Sequence, residues 1–162
     1  MIWAKHCCFC ISLQTGCILI ALLVILLSGM NIDYVLHLLN RTHIRENQYK
    51  FPAQVLYTSL QLIPDCLSVV ASFLLLFAVI SQYLWLFWTS LFFQAVMAMF
   101  LVIFSIVSSS SGSNLIINES IWHNVTYWMY VVLWLALTTY SMYLTYSYYR
   151  QLKEKETENA LE

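Results

Sequence analysis

The sequence predicts an all-α membrane protein, a bundle of four transmembrane helices with cytosolic N- and C-termini. Three observations lead there. Of 162 residues, 61% are hydrophobic and only 9% are charged, whereas a water-soluble domain carries roughly 25% charged residues. So short a chain cannot enclose that much apolar surface in one water-facing core, and a bilayer removes the need to. The apolar residues fall in runs long enough to cross a bilayer as helices, without the ~10-residue alternation of an outer-membrane barrel. Apart from a charged tail, the polar residues collect mainly in two loops that share one side and carry glycosylation sequons.

The first span is expected over residues 11–30, broken only by Ser12, Gln14, Thr15 and Gly16 near its start. About 20 residues at a rise of 1.5 Å cross the hydrocarbon core. Lys5 before it and Ser28-Gly29 near its end resemble a cleaved leader. The apolar run exceeds the ~7–15 residues of a signal core, however, so it reads as a retained span. Residues 31–53, with Asp33, Arg41, Arg45, Glu46 and Lys50, read as the first loop, and Pro52 suits the first turn of the helix that follows. From 67 to 107 the chain is apolar for about 41 residues, or ~60 Å as one helix, which is two bilayers. It must therefore fold back. Ser81-Gln82 is the only polar break, flanked by the interfacial aromatics Tyr83, Trp85 and Trp88. Helix 2 is thus expected over 54–80 and helix 3 over 84–107. A serine-rich stretch from Ser108 opens the second loop, 108–124, and helix 4 is expected over 125–149. The tail 150–162 alternates charge through Lys153, Glu154, Lys155 and Glu156, which would extend helix 4 into water. With no internal repeat and no long linker, residues 1–162 read as a single domain.

Orientation comes from the sequons. Lysines and arginines hardly differ between the two sides: Lys5, Arg150, Lys153 and Lys155 against Arg41, Arg45 and Lys50. Asn40-Arg-Thr, Asn118-Glu-Ser and Asn124-Val-Thr all lie in the two loops after helices 1 and 3. Those loops are expected to be extracellular or luminal, with Asn40 and Asn118 as the candidate glycosylation sites and Asn124 too near helix 4.

Four further features stand out. Cys7, Cys8 and Cys10 cluster at the cytosolic edge of helix 1, the setting of S-palmitoylation, with unmodified thiols and metal ligation as the weaker readings. None of the five cysteines falls in the two polar loops, so no extracellular disulfide framework is expected. Asp65, after Pro64, is the one acid in a candidate span. An intramembrane ionisable residue is a functional candidate by default, but no coordinating partner is visible in helices 1, 3 or 4, so a solvated or helix-capping Asp65 is expected. Ser68, Ala71, Ser72 and Ala78 on helix 2, Ser90, Gln94 and Ala98 on helix 3, and Thr138, Ser141 and Thr145 on helix 4 form stripes of small or polar residues suited to close helix packing. Tyr149-Arg-Gln-Leu152 has the form of a tyrosine-based sorting signal.

No catalytic constellation is visible around the four histidines, and neither an acid pair nor a zinc-ligand pair is present. With a net charge of −1 and no basic cluster, nucleic acid is not an expected partner. No cofactor and no small-molecule substrate are expected.

The opening Cys7-Cys8-Phe9-Cys10-Ile-Ser-Leu-Gln-Thr15-Gly16 resembles that of the lysosome-associated four-span proteins, which also place a cysteine cluster and a Thr-Gly pair at the entrance to helix 1. The helix 2–3 hairpin and the tail from Tyr149-Arg150 are similar in outline. The chain departs from them in lacking proline-tyrosine motifs in its tail and basic residues in the helix 2–3 turn. It is closest in outline to the insect pasiflora-like tetraspan proteins, which share the opening and are about as short. That resemblance implies a non-enzymatic component of septate junctions at the lateral plasma membrane, supporting junction assembly and the paracellular barrier of epithelia and glia. Its partners would be the lipid bilayer, other junctional proteins and copies of itself. The lysosomal resemblance implies the alternative, an adaptor or transport accessory of late endosomes and lysosomes.

Overall fold

The structure, a computed structural model, describes residues 6–7, 11–45, 56, 59–110 and 121–159. Four helices carry the fold: α1 (Leu13–Arg45), α2 (Leu62–Ser81), α3 (Leu84–Ser110) and α4 (Ile121–Asn159). Each packs against the next, and α4 closes back on α1, giving an up-down-up-down bundle. A two-residue antiparallel pair, β1 (His6–Cys7) with β2 (Ile11–Ser12), precedes α1, with Cys7 opposite Ile11.

Local chemistry sets the boundaries. Ser12 caps α1: its hydroxyl accepts the Thr15 N–H at 3.2 Å and bonds the Thr15 hydroxyl at 2.8 Å. The helix therefore begins two residues later than the apolar run. It also continues to Arg45, through the segment expected to be loop. Asn31 and Val35 stay on the inward face set by Cys17, Ile20, Ala21, Val24 and Ser28, so interior contacts outweigh the polar composition of that segment. Residues 54, 55, 57 and 58, in the expected first turn of helix 2, lie outside the described residues.

The turn between α2 and α3 is two residues, as the Ser81-Gln82 break implies. Gln82 takes the left-handed conformation (φ 57°, ψ 18°) and donates its backbone N–H to the Ala78 carbonyl at 2.8 Å. The Ser81 hydroxyl bonds the Phe77 carbonyl at 2.6 Å. At its other end α3 runs to Ser110, three residues past the expected boundary. The hydroxyl of Ser110 bonds back to the Ile106 carbonyl, satisfying a terminal acceptor from within the helix. α4 likewise runs beyond 125–149 at both ends, and its charged C-terminal turns remain helical to Asn159.

Unlike a soluble bundle, this one buries polar side chains beside its apolar core and leaves large apolar ones exposed. α2 buries Ser68, Ala71, Ser72 and Ala78 while Phe73, Phe77 and Ile80 stand 57%, 60% and 74% exposed. α3 buries Ser90, Gln94, Ser105 and Ser108 and turns Trp85, Phe92, Met99 and Ile103 outward. Apolar surface on this scale calls for a lipid solvent. By length and apolar composition α1, α2 and α3 are each able to cross a membrane.

Candidate functional site

A hydrogen-bonded triad, with Asp65 buried and its two partners half-buried, joins three of the four helices. Asp65 lies in the first turn of α2 and is 1% exposed. Pro64 occupies the same turn, where its missing N–H interrupts no helical bond. The Pro64 carbonyl is taken by the Ser68 hydroxyl at 2.8 Å. Asp65 is therefore neither solvated nor a helix cap, as the sequence had led us to expect, and α2 begins at Leu62 rather than at residue 54, with Gln61 in a turn just ahead of Pro64.

Its partners come from α1 and α4. Asn31 donates from Nδ2 to Asp65 Oδ2 at 2.6 Å and to the Tyr130 hydroxyl at 3.0 Å. The Tyr130 hydroxyl in turn donates to Asp65 Oδ1 at 3.4 Å, closing a ring of three bonds. The two N–H bonds of one amide and the O–H of one phenol thus point at a single carboxylate and at each other. Both partners contradict the expectation that no other helix offers a coordinating group. Asn31 was missed because it was assigned to the loop after a shorter helix 1, and Tyr130 because nothing in its own segment sets it apart from the aromatic residues around it. The recoverable signal was periodicity, since Asn31 falls three residues after Ser28 and four before Val35 on one helical face.

Other polar ties run along the bundle. Tyr127 on α4 donates to Ser105 Oγ on α3 at 3.1 Å. Ser90 on α3 donates to the Ala71 carbonyl on α2 at 2.9 Å, and Gln94 Nε2 donates to Ser90 Oγ at 3.2 Å. The small-residue stripes of α2 and α3 thus do what their composition implied, bringing backbones close enough for a hydroxyl to reach a neighbouring helix. Thr138 and Thr145 on α4 instead return their hydroxyls to their own helix, at the Trp134 and Ser141 carbonyls. Ser28 Oγ, Gln94 Oε1 and Trp134 Nε1 are buried without a hydrogen-bond partner among the described residues.

The remaining sequence-derived candidates are dispersed. Thr15 belongs to the α1 cap and Gly16 is buried beside it. Cys7 stands in β1, whereas Cys8 and Cys10 lie outside the described residues. Asn40 is exposed on the C-terminal part of α1, and Asn118 lies outside the described residues. Tyr149 and Leu152 are partly buried against the core, Tyr149 with its ring 5.6 Å from that of Trp88. A protein reading Tyr149 and Leu152 as a sorting signal would have to pull both from the bundle.

The triad can hold three helices in one register. No protein-family model, no curated protein and no solved structure matches the chain.

Proposed function

We propose that the chain is a non-enzymatic membrane protein of four spans with cytosolic termini, which associates laterally in the membrane plane and supports septate-junction assembly and barrier integrity. The observation that carries the lateral-association reading is the exterior: large apolar side chains are presented outside, while an apolar core and a set of polar ties hold the helices together inside. A bundle held internally in this way keeps its shape while its lipid-facing surface meets other proteins.

Support for α4 as a fourth span comes from its course beside α3. The two helices touch at Tyr127 and Ser105 near one end and at Tyr148 and Phe87 near the other. The 21 residues between those contacts cover about 32 Å, close to a hydrocarbon thickness. Without α4, Asp65 would lose Tyr130 and lie against lipid. The sequons at Asn40 and Asn118 support cytosolic termini. The junctional assignment rests on the resemblance of the opening around Cys7 to Gly16 to the pasiflora-like proteins.

The test is localisation with depletion. A carboxy-terminally tagged copy imaged in a polarised insect epithelium should follow a septate-junction marker along the lateral membrane. Depletion should then raise paracellular dye permeability. Punctate overlap with a lysosomal marker and an unchanged barrier would overturn the junctional reading and favour the endolysosomal adaptor. In that alternative, Tyr149→Ala should shift the protein to the cell surface.

A further inference from the structure

A groove of about 550 Å³ opens where α4 leaves the bundle beside the start of α3. Its floor is aromatic: Trp88, 51% exposed, stands edge-on to Tyr149 with centroids 5.6 Å apart, and Tyr149 stacks on Tyr146 at 6.3 Å. Its rim is charged, formed by Arg150, Lys153, Glu154 and Glu158. Tyr146, Tyr149, Arg150, Lys153, Glu154 and Glu158 recur at helical spacing and so form one face of α4.

The order of chemistry along that face is the informative feature. Aromatic rings of the kind that sit at a membrane–water interface come first. Two cations follow, Arg150 and Lys153, about 4.5 Å apart along the axis. Glu154 and Glu158 lie about 6 Å and 12 Å beyond Arg150. A phospholipid with a terminal amine presents groups in the matching order away from the bilayer centre: acyl chains and glycerol, then a phosphate, then the amine.

We propose that this face is a binding site for a zwitterionic aminophospholipid headgroup of the phosphatidylethanolamine type. Trp88, Tyr146 and Tyr149 pack against the glycerol and upper acyl chains. Arg150 and Lys153 take the phosphate, for which a guanidinium fork is well shaped. Glu154 and Glu158 accept hydrogen bonds from the primary ammonium. Arg150 and Glu154 are 3.5 Å apart on an exposed surface, a pairing weak enough to rearrange around a headgroup. A choline headgroup fits less well because its quaternary nitrogen has no N–H for the carboxylates, and the rings that would suit it lie below the phosphate. Phosphatidylglycerol carries the same phosphate charge but sets neutral hydroxyls, with no countercharge, against the two glutamates. The site requires only that this end of the bundle meet the membrane surface and is independent of the junctional reading.

Native mass spectrometry of the full chain in detergent tests this, with phosphatidylethanolamine, phosphatidylcholine and phosphatidylglycerol of matched acyl chains titrated singly and in competition. The expected result is retention of phosphatidylethanolamine at about fivefold or greater preference over each of the others. The doubly substituted Arg150→Gln/Lys153→Gln chain should lose retention of all three lipids. The Glu154→Gln/Glu158→Gln chain should keep binding but lose the ethanolamine preference and shift toward phosphatidylglycerol. The four substituted side chains are on the surface, so circular dichroism should show unchanged helicity in both. Equal retention of the three lipids, insensitive to either pair of substitutions, would mean only annular lipid and overturn the site. A preference for phosphatidylcholine or phosphatidylglycerol in the unmodified chain would also overturn it.

Discussion

At the end of the bundle far from the α2–α3 turn, three helices meet through Asn31, Asp65 and Tyr130; at the end beside that turn, α3 and α4 meet through Phe87, Trp88, Tyr148 and Tyr149. The first junction is polar and closed, with the carboxylate's two oxygens each engaged by a partner. The second is aromatic, and it becomes polar only from Arg150 onward along α4. The difference follows from the solvent. In hydrocarbon an unpaired polar group is costly, so polarity there must be matched side chain to side chain. Apolar groups gain little from leaving lipid for a protein interior, so the aromatic end depends on shape and contact instead.

Breaking the polar end should have the largest effect. Asn31→Leu removes the donor that serves both Asp65 and Tyr130, leaving the carboxylate with only the 3.4 Å bond from Tyr130. A loss of about 2–4 kcal/mol is expected, because the remaining group is buried and under-partnered. Reversible unfolding in mixed detergent micelles measures it. Asp65→Asn should cost less than about 1 kcal/mol, since a carboxamide can still accept from Asn31 and can donate to the Tyr130 oxygen. Asn31→Leu/Asp65→Leu should be milder than Asn31→Leu alone, because no orphaned carboxylate remains. If Asp65→Asn proved as damaging as Asn31→Leu, the charge itself would be essential and the triad would be more than a clamp.

The aromatic end gives the next effect. Phe87 is fully buried, with its ring 5.6 Å from that of Tyr148 and 6.5 Å from that of Tyr149. In water such a Phe→Ala change costs about 3–5 kcal/mol, made up of transfer and cavity contributions. In lipid the transfer contribution largely vanishes, so Phe87→Ala should cost about 1–3 kcal/mol through lost contacts alone. The same unfolding assay sharpens the contrast: a cost at or above the Asn31→Leu value would mean that the aromatic end, not the polar triad, anchors the bundle.

Between the two ends, Ser90→Ala removes the hydroxyl that reaches the Ala71 carbonyl and accepts from Gln94. Hydrogen bonds between membrane helices average about 0.6 kcal/mol, so a loss of about 0.5–1 kcal/mol is expected. A near-zero effect would assign the α2–α3 hairpin to backbone proximity alone.

The sequence made the helical class legible because hydropathy and span length are local properties, readable without knowing any neighbour. The fold-back at Ser81-Gln82 was legible for the same reason, and so were the inward stripes through Ser68–Ala71–Ser72 and Ser90–Gln94. The triad was not. Asn31 sits among polar neighbours such as Asp33, and composition alone places it in a loop; only burial against α2 and α4 draws it into the helix. Tyr130 shares its segment with exposed aromatics, and its hydroxyl acquires meaning only when α4 lies beside Asp65. The contents of the site are pairings between residues 34, 65 and 99 positions apart. Without a second copy of the pattern, single-chain periodicity can point to a face but not to the partner across it. The same limit kept the groove beside Trp88 hidden, although its α4 face is spaced regularly in the sequence.

The smallest expected effect lies at the α2–α3 turn itself, beside the aromatic end. Gln82 is the one non-glycine residue with positive φ among those described, at 57°. A side chain there crowds the following carbonyl, at a cost of up to about 1–2 kcal/mol that glycine avoids. Glycine also gives some of this back by widening the unfolded ensemble. Gln82→Gly should therefore stabilise the protein by no more than about 1 kcal/mol, seen as a small upward shift in thermal midpoint in detergent. Its direction is diagnostic. The Gln82 N–H bond to the Ala78 carbonyl is made by backbone and survives the change, so stabilisation would come from relief at φ alone. A destabilised variant would mean that the Gln82 side chain, which with Leu84 and Leu152 borders a second small recess against the α4 tail, contributes more to holding that tail in place than the left-handed backbone costs.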